Sequence, residues 1–296
     1  MSGVVLVTGG SGQLGSALKG EDFAGRTVWA PTRAELDLSQ PHSLAEALAG
    51  KPLAAIINAG AWTAVDAAET EIAGAWAVNA VSPGVLAGIA AGQGAAFIQV
   101  STDYVFDGSG TAPWRPCDPI APLNVYGASK AAGELVVRAA HPRAVIARTS
   151  WVISPGGQNF VKTVLRLAEE RDALTMVADQ HGAPTFASDL ATALAAIARA
   201  HLAGPDRPGA VLHLANAGET TWCGIAQAIA DDLRSRGLRA PSISPTTTDA
   251  FPRPARRPAN SRLDCSDAQS LYGVALRDWR AALGACLSDI HAGAAG

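Results

Sequence analysis

Tyr126 and Lys130 lie four residues apart in Tyr126-Gly127-Ala128-Ser129-Lys130, and on a helix that spacing puts both side chains on one face. A tyrosine with its unperturbed pKa of about 10 is a slow acid–base group at neutral pH. A lysine cation beside it stabilises the phenolate, lowers that pKa and makes the hydroxyl a useful proton donor. Thr102 ends a strand-like run just upstream and is placed to set its own hydroxyl against the same carbonyl oxygen. Tyr-x-x-x-Lys by itself most often marks an exposed helix face. Its position gives it weight, because it follows Ser101-Thr102-Asp103-Tyr104 and, much earlier, a glycine-rich turn.

That turn is Thr8-Gly9-Gly10-Ser11-Gly12-Gln13-Leu14-Gly15, set between the apolar run Val4–Val7 and a helix start at Gln13–Lys19. Gly9 allows the tight bend, Gly12 lets the backbone approach a pyrophosphate, and Gly15 lets helix and strand pack closely. The first N–H groups of the helix have no intrahelical acceptor and are free to hold an anion. Further apolar runs at Thr27–Ala30, Ala54–Ala59, Ala95–Val100 and Ala144–Thr149 alternate with alanine-rich helical segments such as Leu44–Leu48 and Ala75–Ala90. Strands that are apolar throughout and alternate with helices imply an α/β fold: a doubly wound parallel (Rossmann) sheet covered on both faces. In such sheets ligands bind beyond the carboxyl ends of the strands.

The residues just past each strand are therefore informative. After the second run comes Thr32-Arg33, where an NAD-specific site places a carboxylate; an arginine suits a 2′-phosphate instead, so NADPH is expected ahead of NADH. Asp37 reads either as an adenine contact or as a solvated turn residue. Ala59-Gly60-Ala61 are small enough for a cofactor to lie against the backbone. Asn79 reads as a structural hydrogen-bonder rather than a catalyst. Trp151, directly after Arg148-Thr149-Ser150, is placed to reach the site rather than only the core.

The bulk numbers exclude several classes. In 296 residues, 48% are hydrophobic and 17% charged, with a net charge of −3; this is a globular chain with no feature that calls for a nucleic-acid or membrane partner. No uninterrupted apolar run reads as long enough to span a bilayer. Cys117, Cys223, Cys265 and Cys286 form no Cys-x-x-Cys pair and read as free buried thiols in a reducing cytoplasm. A first strand at Val4 leaves no room for a signal peptide ahead of it. No histidine pair has metal-site spacing, and Ser11 lacks the second glycine of a nucleophile elbow.

These residues resemble the extended short-chain dehydrogenases/reductases, and within them the dTDP-4-dehydrorhamnose reductase family. The resemblance rests on the glycine turn and on Asn58-Ala59-Gly60-Ala61-Trp62-Thr63-Ala64-Val65-Asp66. It continues through Ser101-Thr102-Asp103-Tyr104-Val105-Phe106-Asp107-Gly108, Tyr126-x-x-x-Lys130, Arg148-Thr149-Ser150-Trp151, Asn159-Phe160-Val161 and Arg257-Pro258-Ala259-Asn260-Ser261-Arg262-Leu263-Asp264. It implies reduction of the 4-keto group of dTDP-6-deoxy-L-lyxo-4-hexulose to dTDP-L-rhamnose. Tyr126 would be the proton donor and Lys130 would hold the nicotinamide ribose. The cofactor would be lined by Gly12, Gln13, Leu14, Asp37, Leu38, Ala59, Gly60 and Ala61. Thr102, Asp103 and Tyr104 would face the sugar and Trp151 would pack on it. Some members form dimers bridged by magnesium through glutamates near the C-terminus. The last helix here, from Asp278 to Ile290, has no glutamate, so no structural metal is expected and self-association is left open.

Residues 1–150 are expected to form the dinucleotide-binding domain, with roughly 184–220 returning to it. Residues 151–183 and 221–296 are expected to form mainly a smaller, discontinuous substrate domain. The loop 241–258 carries Arg253, Arg256 and Arg257. It reads either as a grip on the nucleotide diphosphate, with Arg257 foremost, or as a solvated basic linker. Two rival functions share the pattern: a nucleotide-sugar epimerase or dehydratase that retains NAD, against which Arg33 argues, and a non-catalytic NADP-binding subunit, against which the intact Tyr126 and Lys130 argue.

Overall fold

The computed structural model describes residues 3–204 and 206–294. In chain order the first half contains β1 (Val4–Thr8), α1 (Gln13–Leu18), β2 (Val28–Trp29), α2 (Leu44–Ala47), β3 (Leu53–Asn58), α3 (Val65–Ala68), α4 (Ile72–Trp76), α5 (Ser82–Gln93), β4 (Ala96–Thr102), α6 (Val125–Ala140) and β5 (Val145–Thr149). There follow β6 (Val152–Ile153), α7 (Phe160–Glu170), β7 (Ala173–Val177), β8 (His181–Gly182), β9 (Thr185–Phe186), α8 (Ala187–Ala203) and β10 (Ala210–His213). The chain ends with β11 (Thr220–Thr221), α9 (Trp222–Ser235), β12 (Ser242–Thr246), β13 (Asn260–Ser261), α10 (Ser266–Tyr272) and α11 (Trp279–Ala294).

Six strands form one parallel sheet in the order β2-β1-β3-β4-β5-β10. Alternate residues of each strand point to opposite faces. Val5, Val7, Ile57 and Ile98 pack under α1 and α8, while Leu6, Ile56 and Phe97 pack under α2 and α5. The chain leaves β1 toward β2 and returns on the other side as β3, so the sheet's switch point lies between β1 and β3. A crevice at the carboxyl ends is the geometric consequence.

A separate core, built on Ile153, Val161, Leu174, Ile225, Ile229, Trp279 and Leu283, joins α7, α9 and α11. The pair β7–β12 packs against α9 beside it. The element α10 sits elsewhere: Ala268 and Val274 belong to the core beneath α8, so the 221–296 stretch is divided between the two cores.

Two expectations need correction. The 22 residues Ile72–Gln93 are helical, contain an 18-residue stretch of mean hydropathy 1.5 and are by length and composition enough to cross a membrane. Their continuity escapes a search for uninterrupted apolar runs because Asn79 and Ser82 break them, and the chain runs through these residues as a π-helical turn, Ala77–Val81. In the fold the segment covers the sheet and packs on α6. Of the four thiols, all free, Cys286 is buried in the core between α7, α9 and α11, but Cys117 is exposed and Cys223 and Cys265 are half-buried.

Candidate active site

The glycine turn closes over the end of β1. Gly9 has φ +67°, and a Cβ on Gly15 would lie 2.1 Å from the Gly9 carbonyl oxygen; the first needs a left-handed backbone and the second leaves no space for any side chain. Gly12 is the N-cap of α1 and supplies no side-chain cap, which leaves the first-turn N–H groups to a ligand. They open on a cleft of about 250 Å³ lined in part by Ser11, Gly12, Gln13, Ser154 and Gly157. Beneath the turn, Thr8 Oγ1 donates to Asn58 Oδ1 and accepts from the Gly60 N–H at 3.0 Å, while Asn58 Nδ2 donates to Gln99 Oε1 at 2.7 Å. This buried network fixes the exits of β1, β3 and β4 relative to one another. A dinucleotide fits such a turn, and Gly12, Ala59, Gly60 and Ala61 lie where it would run.

Other expected cofactor residues are used differently. Leu14 and Leu38 are buried core side chains, and Leu38 packs against Gly60. Gln13 spends its side chain on the second half: Oε1 accepts from Ser154 Oγ at 3.0 Å and Asn159 Nδ2 at 2.9 Å, and Nε2 donates to the Val152 carbonyl at 3.4 Å. Arg33 stands 78% exposed at the end of β2 and pairs with Asp37 at 3.3 Å. The carboxyl of Asp37 is held below its usual range, first by the Ser39 N–H and then by Arg33.

Tyr126 and Lys130 lie on α6, whose N-cap Asn124 accepts from the Gly127 N–H at 2.8 Å. Tyr126 packs edge-on to Tyr104 with ring centroids 5.5 Å apart, and the Thr102 side chain lies close enough to act on its phenol. Burial pushes the Tyr126 phenol up to about 12; the neighbouring Thr102 side chain opposes the rise and the charge of Asp103 adds to it. The expectation of a phenol made acidic by Lys130 is thus corrected. Lys130, 4% exposed, gives its Nζ proton to the Val100 carbonyl at 2.7 Å, and burial lowers its own pKa to about 8 against the support of Glu134.

Asp103 is 2% exposed. Its Oδ1 accepts from Thr102 Oγ1 at 3.0 Å, and burial raises its pKa to about 6. Ser261 Oγ lies beside the carboxylate and counters part of that rise, yet neither its hydroxyl nor Asp103 Oδ2 completes a hydrogen bond. Burial also raises the Tyr104 phenol, with the Asp103 charge adding to it.

Trp151 follows β5 with φ +47°, a left-handed backbone that is costly for a bulky residue. Its ring stacks on Trp222 with centroids 4.0 Å apart, and Trp222 meets Phe160 at 4.8 Å. Arg257 is held by an acidic partner. Its guanidinium binds both oxygens of Asp66, at 2.8 and 3.0 Å, and so ties the 247–258 segment to α3. Arg253 and Arg256 are exposed.

Four residues near the site were missed: Glu134, Arg148, Ser261 and Trp222. Glu134 and Arg148 form a buried ion pair at 2.7 Å, with a further bond at 2.9 Å from Arg148 Nε and one from Ser101 Oγ. The signal for Glu134 was its four-residue spacing from Lys130 on the same helix. Trp222 had none, being 71 positions from Trp151 in the chain. Among the described residues no group of three His, Cys, Asp or Glu is disposed to hold a metal ion.

A switch-point crevice with a Tyr-x-x-x-Lys helix at its mouth defines a class, the extended short-chain dehydrogenases/reductases. Within that class the chain belongs to the family described as the RmlD substrate binding domain, whose model matches residues 3–292. The dTDP-4-dehydrorhamnose reductase of Burkholderia thailandensis is 42% identical over 294 residues, 97% of this chain and 98% of that protein. The dTDP-4-dehydrorhamnose reductase structure from Clostridium acetobutylicum has a TM-score of 0.88 at 33% identity, covering 97% of this chain and 99% of that one. The Bacillus anthracis dTDP-4-dehydrorhamnose reductase, solved in complex with NADP, has a TM-score of 0.87 at 30% identity, covering 98% of this chain and 100% of that one.

Proposed function

We propose that this chain reduces the 4-keto group of dTDP-6-deoxy-L-lyxo-4-hexulose to dTDP-L-rhamnose, with NADPH as the reductant. The observation that carries the reading is the placement of Tyr126 and buried Lys130, one helical turn apart on α6, beside Thr102 at the carboxyl end of β4. It is supported by relatives and solved structures named for that reductase across nearly the whole chain.

NADPH supplies the hydride when bound. Gly12 and the first turn of α1 would hold its pyrophosphate, Gly60 and Ala61 would flank its ribose, and Arg33 would meet the 2′-phosphate. Tyr126, kept protonated by its raised pKa, hands its proton to the oxygen of the reduced carbonyl. Lys130 supplies a positive charge on the same helix face that favours the phenolate as it develops. Asp103 binds a sugar hydroxyl, and the Trp151–Trp222 stack gives the ring a flat apolar wall. Arg257 reaches the diphosphate only by exchanging Asp66 for it. The four unpaired thiols accord with a cytoplasmic location.

The test is NADPH oxidation by the purified chain with the dTDP-linked 4-keto-6-deoxy sugar. Stoichiometric formation of dTDP-L-rhamnose is expected, and NADPH left unconsumed by a folded, NADPH-binding chain would refute the reading.

A further inference from the structure

A buried ion pair stands directly behind the proposed site. Glu134 and Arg148 are 3% and 4% exposed and meet through two bonds, Arg148 Nη2 to Oε2 at 2.7 Å and Arg148 Nε to Oε1 at 2.9 Å. Stability alone does not call for such a pair. The cost of taking two charges out of water often exceeds what their attraction returns, and well-packed apolar residues of similar volume hold a fold as well or better. What sets this pair apart is a third group on it: the buried Ser101 Oγ donates to Glu134 Oε1 at 2.5 Å.

Ser101 stands between the two residues of β4 that serve the site. The carbonyl of Val100, one position before it, accepts from Lys130 Nζ at 2.7 Å, and Thr102, one position after it, lies beside Tyr126. On α6, Glu134 follows Lys130 by one helical turn and Tyr126 by two. The Ser101–Glu134 bond therefore ties the end of β4 to the helix that carries the proton donor. Arg148 completes the clamp from β5, where it is paired in register with Ser101. Its Nη1 donates to the Pro116 carbonyl at 3.1 Å and its guanidinium lies 5.0 Å over the Phe106 ring, so the segment that joins β4 to α6 is held too.

We propose that Glu134 is a positioning residue for the reduction: through Ser101 and Arg148 it fixes Thr102 on β4 against the Tyr126–Lys130 pair on α6. Glu134 has this role only if Tyr126 and Lys130 serve the proton transfer as proposed above. Its side chain is enclosed and acts through these neighbours alone. Its charge works in the same direction, since it opposes the burial that lowers the Lys130 pKa.

Two variants test this by steady-state kinetics with NADPH and the dTDP-linked 4-keto-6-deoxy sugar, alongside urea unfolding. Ser101→Ala leaves the ion pair intact and removes only the tie to β4. Its kcat should fall by about tenfold or more, because misplacing catalytic groups by about 1 Å can cost about 10²-fold; its KM for NADPH and its urea midpoint should stay near wild type. The triple variant Ser101→Ala/Glu134→Leu/Arg148→Met removes all three side chains of the clamp together, so that none of them is left buried without its partner. It should be at least as stable as wild type, with kcat lower than in Ser101→Ala. A clamp that only holds the fold predicts the reverse pairing, with stability and kcat falling together. Wild-type kcat in folded Ser101→Ala, or a triple variant whose stability falls in step with its kcat, would overturn the assignment. A wild-type chain that binds NADPH and leaves it unoxidised refutes the reaction itself, and the role of Glu134 with it.

Discussion

Asp103→Asn is expected to stabilise the folded chain at neutral pH. The carboxyl is almost wholly buried, Oδ2 completes no hydrogen bond, and burial moves the pKa from 3.8 to about 6. One pKa unit corresponds to about 1.36 kcal/mol, so keeping the group ionised costs about 3 kcal/mol at about pH 7.5. The folded-state pKa lies above the unfolded one, so the folded chain binds more proton between them. The cost is therefore complete above about pH 6, fades as pH falls, and is gone below about pH 4. Asparagine keeps an oxygen for the Thr102 hydroxyl and carries no charge. Urea unfolding of both proteins should place the variant about 3 kcal/mol above wild type at about pH 7.5 and about 1 kcal/mol above it at about pH 4.5. A variant less stable than wild type at both values, or a gap that ignores pH, would refute the reasoning. The same variant should bind the sugar nucleotide more weakly, so stability and function move in opposite directions at this residue.

Tyr126→Phe should fold and bind NADPH as wild type does but lose about 10²–10⁴ in kcat, the usual contribution of a positioned proton donor; single-turnover rates with normal cofactor titration check it. The alkaline limb of kcat/KM should fall near pH 8, where Lys130 loses its charge, and not near 12, where Tyr126 ionises; a profile flat to about pH 10 would reject Lys130 as the limiting group. Arg33→Ala should weaken NADPH by about tenfold or less, because the side chain is largely exposed, and should leave NADH almost unchanged; equal losses would remove the 2′-phosphate role.

What could be read in the chain was what short-range spacing determines. Gly9, Gly12 and Gly15 announce a turn because only glycine satisfies a left-handed φ or a 2.1 Å approach, and Val4–Val7 announces a strand buried on both faces. Tyr126 and Lys130 share a helix face by arithmetic. What stayed hidden was set by distant partners. Arg257 meets Asp66 across 191 positions, so no local pattern could show that its guanidinium is taken. Gln13, expected in the cofactor cradle, also bonds Ser154 and Asn159, 141 and 146 positions away, a tie that no local pattern shows. The protonation of Tyr126 was misjudged for a related reason: helical spacing places a lysine nearby but does not report the burial that outweighs it.

The charges at the carboxyl end of the sheet follow from that burial. Glu134 answers two buried cations, binding Arg148 directly and supporting Lys130 from one helical turn away. Without it both would stand uncompensated in a low-dielectric interior, where unpaired charge costs several kcal/mol. Asp103 has no such partner, and its neighbours Thr102 and Ser261 are neutral. The site thus holds one carboxylate that is fully bonded and one that is left short of donors. A carboxylate short of donors is suited to bind hydroxyl groups that arrive with a substrate, because each new bond removes a cost the folded protein already carries. The strain at Asp103 and the capacity to recognise a sugar are, on this account, the same property.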